Sequence, residues 1–295
     1  MRQTEMRHPD AGGLETLPAE KVLLLLAQGQ AAAADSVQPA IPDIARAAHL
    51  AASKIAAGGR LIYAAAGSSG LMALADGLEL PGTYGIDRVE IVLAGGMESL
   101  RRMIGGPEDD RAAAREAIEA LSPSERDCVI ALTASGQTPF AMEALATARE
   151  AGAATIAIAN NRGAPILGAA DVGICLPTPP ELIAGSTRMG AGTAQKIALN
   201  MLSTMMAIEL GHVHDGLMVN VVADNIKLRA RARDIVSTIA SVDEAAATSA
   251  LDISQGAVKP AVLIAAGAAD LATANDLLSA HKGHLRPALA ALSNG

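Results

Sequence analysis

The sequence predicts a doubly wound α/β protein built on a parallel sheet. Three observations carry that prediction. Five short apolar runs lack the in-and-out alternation of a half-exposed sheet, most are separated by a helical segment, and each ends in Gly, Ser, Asn or Pro. Residues 1–17 are polar and turn-rich. From Pro18, which suits a first helical turn, residues 19–37 read as a helix. A second helix covers 41–59, with Ile44, Ala47, Leu50, Ala51 and Ile55 at helical spacing and Gly58-Gly59 as its stop. Residues 60–66 form the first strand, followed by a tight turn at Gly67-Ser68-Ser69-Gly70 and a helix through residue 80. The second strand, 88–94, ends at Gly95-Gly96. The third, 127–134, runs into Ser135-Gly136-Gln137-Thr138 and the helix 139–152. Runs 154–160 and 172–177 are the fourth and fifth strands, and a long helix starts near Gly190. After about residue 240 the chain changes to short helical pieces joined by Gly and Pro. The expected organisation is an N-terminal helical segment (1–57), an α/β domain (58–240) and a small helical C-terminal domain (241–295), a division that suits a chain of 295 residues.

Composition narrows the function classes. Hydrophobic residues make up 51% of the chain but aromatic ones only 1%, so the core is built from Ala, Leu, Ile, Val and Met, and stacking platforms for bases are scarce. With 23 Lys+Arg against 31 Asp+Glu, a net charge of −8 supplies no field for a phosphate backbone, which excludes nucleic acid as a partner. Residues 1–13 have no apolar h-region, and no stretch of about 18 uncharged apolar residues predicts a membrane span, so a cytoplasmic protein is expected. Cys128 and Cys175 are too few for a disulfide framework and fit a reduced compartment. The mean hydropathy of +0.30 comes largely from alanine, which favours close helix packing and a large subunit interface.

Two loops point to an anionic ligand. Gly67-Ser68-Ser69-Gly70 and Ser135-Gly136-Gln137-Thr138 both follow strands and open helices, where small residues let N–H groups approach an anion and hydroxyls add donors. Ser and Gly serve equally as ordinary caps and turns, but two such loops on one sheet favour a phosphate or sugar phosphate. Neither is a Walker A loop or GxGxxG, which argues against a nucleotide. Glu79, between Leu78 and Leu80, reads either as a desolvated general acid/base or as a solvated residue at a helix end. Glu108 reads first as an acid before the helix that follows. His212 and His214 stand two apart and do not share a helix face, and no Cys/His set accompanies them, so no metal site is expected.

The run from Glu181 through Gly185-Ser186-Thr187-Arg188 and Ala191-Gly192-Thr193-Ala194-Gln195-Lys196 to Asn200-Met201-Leu202-Ser203-Thr204, with Leu217-Met218-Val219 and Asn225-Ile226-Lys227-Leu228, resembles the signature of N-acetylmuramic acid 6-phosphate etherases. These belong to the sugar isomerase (SIS) superfamily, together with the glucokinase regulatory protein. The resemblance extends from Thr4-Glu5-Met6-Arg7 to Gly283-His284-Leu285-Arg286. It implies a SIS-type, flavodoxin-like five-stranded sheet, a homodimer with active sites at the subunit interface, and cleavage of the D-lactyl ether of an amino sugar phosphate without a cofactor. The family's acid/base glutamate falls on Glu79 and a second active-site glutamate on Glu108. Gly67, Ser68, Ser69, Ser135, Gly136, Gln137, Thr138, Ser186, Thr187, Arg188 and Lys196 become the expected substrate- and phosphate-binding residues. Leu71, Gln137 and Gly190 stand where the family usually carries cations, and Leu80-Pro81-Gly82-Thr83 replaces its Cys-Pro-Pro-Thr run. Those neutral positions keep open a non-catalytic, regulatory sugar-phosphate-binding protein. An aldose/ketose isomerase fits the signature less well.

Overall fold

The computed structural model describes residues 3–102 and 105–293. Helices α1 (Ala19–Asp35) and α2 (Ile41–Ala56) precede strand β1 (Leu61–Ala65), and helices α3 (Gly67–Gly77) and α4 (Leu80–Tyr84) lead to β2 (Val89–Leu93). Helix α5 (Arg111–Ala120), β3 (Cys128–Thr133), α6 (Pro139–Glu150), β4 (Ala154–Ala159), α7 (Pro165–Ala169) and β5 (Val172–Cys175) follow. The long helix α8 (Gly190–Glu209) leads to a two-stranded pair, β6 (Val213–His214) and β7 (Leu217–Met218). Helices α9 (Ile226–Ala240), α10 (Glu244–Ile253), α11 (Val258–Ala265), α12 (Leu271–Ala280) and α13 (Leu285–Ser293) complete the chain. All five expected strands form. Among the described residues no helix is long and apolar enough to cross a membrane.

The chain divides into two compact units: Met1–Leu78 with Arg88–Ser203, and Glu79–Asp87 with Thr204–Gly295. In the first, the strands run parallel in the order β2-β1-β3-β4-β5, the flavodoxin-like order. β1, β3 and β4 are buried at every residue because helices cover both faces, which explains why their sequences do not alternate. One face packs Ile62, Ala64, Val92 and Val129 against Ala114, Ile118, Phe140, Ala144 and Ala148 of α5 and α6. At the strand entrances the buried Asp127 accepts from Arg60 N (2.8 Å), from Arg60 Nη2 (3.0 Å) and from Ser124 N (2.8 Å).

The second unit is helical. Val219, Val221, Ile235, Val236, Val262, Leu263, Leu278 and Leu285 form its core. The segment Glu79–Asp87 joins it through side chains rather than through sequence proximity. Tyr84 Oη donates to Thr204 Oγ1 (3.1 Å), Asn220 Nδ2 to the Tyr84 carbonyl (2.8 Å), and Val222 N to the Gly82 carbonyl (3.1 Å). Gly85 sits at φ +63°, where a Cβ would lie 2.6 Å from Asn220 Nδ2, so only glycine fits. Packing therefore draws different boundaries from the compositional division at 57/58 and 240/241. The shift in composition falls between α9 and α10, whose shared core spans it.

Arg60 and its hydrogen bonds hold the Asp127 carboxyl at about 2, although burial pushes the other way. A lowered folded-state pKa gives stability that is present above the unfolded value near 3.8 and lost as pH falls through about 2. Asp127→Asn is expected to cost roughly 3 kcal/mol at pH 7, because it removes the charge that pairs with Arg60 and sets an NH₂ donor against the donors that met one of the two oxygens. Denaturant titrations at a series of pH values should find the gap between variant and parent narrowing below about pH 4 and closing as pH falls through about 2.

Candidate active site

Parallel pairing of β1 with β3 brings the two expected loops side by side. The chain leaves β1 for β2 on one side and then crosses to β3 on the other, so the ends of β1 and β3 flank the switch point of the sheet. Gly67-Ser68-Ser69-Gly70 is not a free loop: helix α3 starts at Gly67, and these four residues are its first turn, with Ser69 and Gly70 buried. The turn therefore aims a helix N-terminus at the crevice. At Ser135-Gly136-Gln137-Thr138 the hydroxyls satisfy one another, with Thr133 Oγ1 at 2.7 Å from Thr138 Oγ1 and 3.2 Å from Ser135 Oγ. Gly136 N donates to Thr133 Oγ1 and Gln137 N to Ser135 Oγ, both at 3.2 Å. Two N–H groups of this loop are thus engaged within it. Gly136, at φ +74°, would place a Cβ 2.2 Å from Ala164 Cβ, which makes glycine obligatory there.

Glu108 comes to the first of these turns. Its Oε1 lies 2.6 Å from where a Cβ on Gly67 would stand, and its carboxyl faces a cavity of about 20 Å³ lined by Leu71, Leu93, Leu100 and Ser99. That space admits a water-sized group. The helix-start role that the residues first offered Glu108 belongs to Asp110, whose side chain accepts from Ala113 N and caps α5 (2.9 Å). Burial, and secondarily Asp109, push the Glu108 carboxyl above its usual range. Leu71 supplies no charge to reverse this.

Glu79 lies in the second unit, between α3 and α4, and is exposed. Of its two apolar neighbours only Leu80 is buried, and Leu78 is 65% exposed, so within its own unit Glu79 is the solvated residue at a helix end. Ser186 and Thr187 are half-buried in the turn before α8, and Arg188 is exposed. The N-terminus of α8 is already met by an anion of the chain itself, since the buried Glu181 carboxylate accepts from Gly190 N (3.0 Å) and Ala191 N (2.9 Å). Lys196, also exposed, donates to Asn200 Oδ1 one turn along α8. Sequence reasoning named Glu181 only as the start of the signature run, without this role, and missed the side chains that hold this region together. Asn161 binds the buried Thr4 (Nδ2 to Oγ1, 3.0 Å) and the Ala134 carbonyl (2.9 Å), and Asn160 Oδ1 accepts from Gln195 Nε2 (2.9 Å). A polar pair closing an apolar strand was the available signal. Among the described residues no group of three His, Cys, Asp or Glu side chains is placed to hold a metal ion.

SIS-domain models match residues 27–160 and 112–210, the stretch that carries this flavodoxin-order parallel sheet and the hydroxyl-rich turns at its switch point, so the class is that of SIS-domain proteins. The structure is similar to a protein from Bacteroides fragilis assigned as a phosphosugar isomerase involved in capsule formation (TM-score 0.52, 18% identity, 68% of this chain and 95% of that one). It is also similar to a protein of Escherichia coli CFT073 solved in complex with a ligand (TM-score 0.50, 14% identity, 68% and 97%). Identities this low show the fold. The chain belongs to the N-acetylmuramic acid 6-phosphate etherase family: it is 40% identical over 290 residues to the N-acetylmuramic acid 6-phosphate etherase of Deinococcus radiodurans, covering 98% of this chain and 95% of that protein. Those of Streptomyces coelicolor (40%; 98% and 93%) and Salmonella typhimurium (37%; 97% and 97%) match over nearly their whole lengths as well.

The environment of Glu108 has a measurable consequence. A carboxyl whose folded pKa is raised costs stability once pH rises above its unfolded value near 4.5. Glu108→Gln removes the ionised form, so the variant should melt higher than the parent at pH 7–8, and the difference should vanish below about pH 4.5. Thermal melts across that range check this.

Proposed function

We propose that this protein is a carbon–oxygen lyase that cleaves the D-lactyl ether of N-acetylmuramic acid 6-phosphate, giving N-acetylglucosamine 6-phosphate and D-lactate. The observation that carries the reading is full-length membership of the etherase family with Glu79 and Glu108 both present. In the open-chain sugar the C1 aldehyde acidifies the C2 proton. A base removes that proton, the lactyl oxygen leaves C3 with a proton supplied to it, and water adds across the resulting double bond. The net reaction consumes one water. Glu79 takes the acid/base role, and its exposure lets it exchange protons with solvent. Glu108, in its apolar pocket, acts as the second carboxylate and suits the protonated form that hands a proton to oxygen.

The first turn of α3, with Gly67, Ser68 and Ser69, takes the phosphate beside Ser135, Gly136, Gln137 and Thr138. Ser186, Thr187, Arg188 and Lys196 bind the second anion, the lactyl carboxylate. No cofactor enters the scheme, because the proton made acidic by the aldehyde needs only a base. The protein works in the cytoplasm as a homodimer with its active sites at the subunit interface. The exposed Leu23, Leu24 and Ile183 supply aliphatic surface for that interface.

Incubation of the purified protein with N-acetylmuramic acid 6-phosphate should release D-lactate in an enzyme-coupled assay. Glu79→Gln should lower the rate about 10²–10⁴-fold while leaving the fold intact, since the change is isosteric. Binding of the sugar phosphate without lactate release would instead establish the regulatory reading that neutral Leu71, Gln137 and Gly190 keep open. Light scattering should report about twice the chain mass of 29.7 kDa at micromolar concentration.

A further inference from the structure

A buried carboxylate outside these roles organises the middle of the first unit. Asp76, on α3, is 3% exposed and accepts three hydrogen bonds: from Tyr63 Oη (2.7 Å), Asn200 Nδ2 (2.8 Å) and Ser203 Oγ (3.0 Å). Every partner is a donor, as an ionised carboxylate requires. Tyr63 stays a neutral donor, because burial and the adjacent Asp76 charge push its phenol well above the usual value. The same requirement orients Asn200. A carboxylate accepts only, so the amide must turn its NH₂ group to Asp76, and its Oδ1 then faces away from the core. That oxygen is the one Lys196 Nζ binds, four residues earlier on the exposed face of α8.

We propose that Asp76 and Asn200 are positioning residues for Lys196: the buried carboxylate sets the amide orientation, and the amide holds the ammonium where it meets the anionic substrate. This rests on the etherase reading and on Lys196 as one of its cations. Hydrogen bonding to a fixed acceptor costs the ammonium its freedom before the substrate arrives, so less is lost on binding. In Asp76→Asn the buried group also carries a donor. The Asn200 amide is then free to reverse and turn its NH₂ towards the ammonium, which releases it.

The test uses the full-length protein, N-acetylmuramic acid 6-phosphate and D-lactate release, with calorimetric binding of the same substrate in a Glu79→Gln background as a readout independent of turnover. Asp76→Asn and Asn200→Ala should each raise KM roughly tenfold with kcat near the parental value, the pattern of lost uniform binding to one anion. Lys196→Met should raise KM at least as much. Adding either substitution to Lys196→Met should then change nothing further, since the relay has no ammonium left to hold. Multiplying effects, or a fall in kcat at unchanged KM, would overturn the proposal and leave Asp76 a packing residue. Should Asp76→Asn fail to fold, Asn200→Ala carries the same test, because Tyr63 and Ser203 still satisfy the carboxylate. A parental protein that binds N-acetylmuramic acid 6-phosphate yet releases no lactate refutes the etherase reading alone, and the same comparison of variants is then made on the Kd of that unconverted sugar phosphate.

Discussion

Parallel pairing is the constraint on which the first unit depends. Parallel neighbours cannot be joined by a hairpin, so each crossover leaves from the same edge of the sheet and returns through a covering helix. All turns that open helices are thereby gathered at one edge. The order β2-β1-β3-β4-β5 makes β1 and β3 neighbours although β2 lies between them in sequence, and it is this placement that sets Gly67-Ser68-Ser69-Gly70 beside Ser135-Gly136-Gln137-Thr138. The direction of the following helices then decides the chemistry available there, because α3 begins within its turn and presents peptide dipoles rather than side-chain charge.

Small side chains make that architecture tight. With Tyr63 and Phe140 as the largest buried residues, the helices covering the sheet approach it through alanine faces: Ala47, Ala48 and Ala51 on α2, Ala141, Ala144 and Ala148 on α6. A close-packed alanine core leaves little room to accommodate added volume, so glycine is required where backbone meets backbone, as at Gly136 and Gly85. The buried carboxylates of this core have partners. The Asp76 carboxylate has three donors, and Asp127 has Arg60 and Ser124.

Charge in the candidate site is arranged by opposition within the chain. Glu181 occupies the N-terminus of α8, so that dipole organises the protein rather than a ligand. Glu108 has aliphatic neighbours and the N-terminal turn of α3, and its carboxyl is held towards the protonated form by loss of water around it. Membership of the etherase family and this pair of environments are separate facts about the chain. The first concerns its ancestry, while the second states what its own side chains do to a carboxyl.

The strands and most helices were legible in the sequence because they depend on local pattern. Uninterrupted apolar runs, Gly stops and acidic or Asn caps act within a few residues, and residues 60–66, 88–94, 127–134, 154–160 and 172–177 each contain a strand. The family was legible too, since Gly185-Ser186-Thr187-Arg188 and its continuation form a linear signature. Only the tertiary structure decided strand order, the assignment of Glu79 to the helical unit through Tyr84, Gly85 and Asn220, and the turning of Glu108 towards Gly67 while Asp110 capped the helix. It alone joined Asn200 to Tyr63 and Asp76, from which it stands far along the chain. The physical reason is range: propensities and caps are summed along the chain, whereas burial, desolvation and hydrogen bonding between distant side chains exist only once the sheet has brought them into contact.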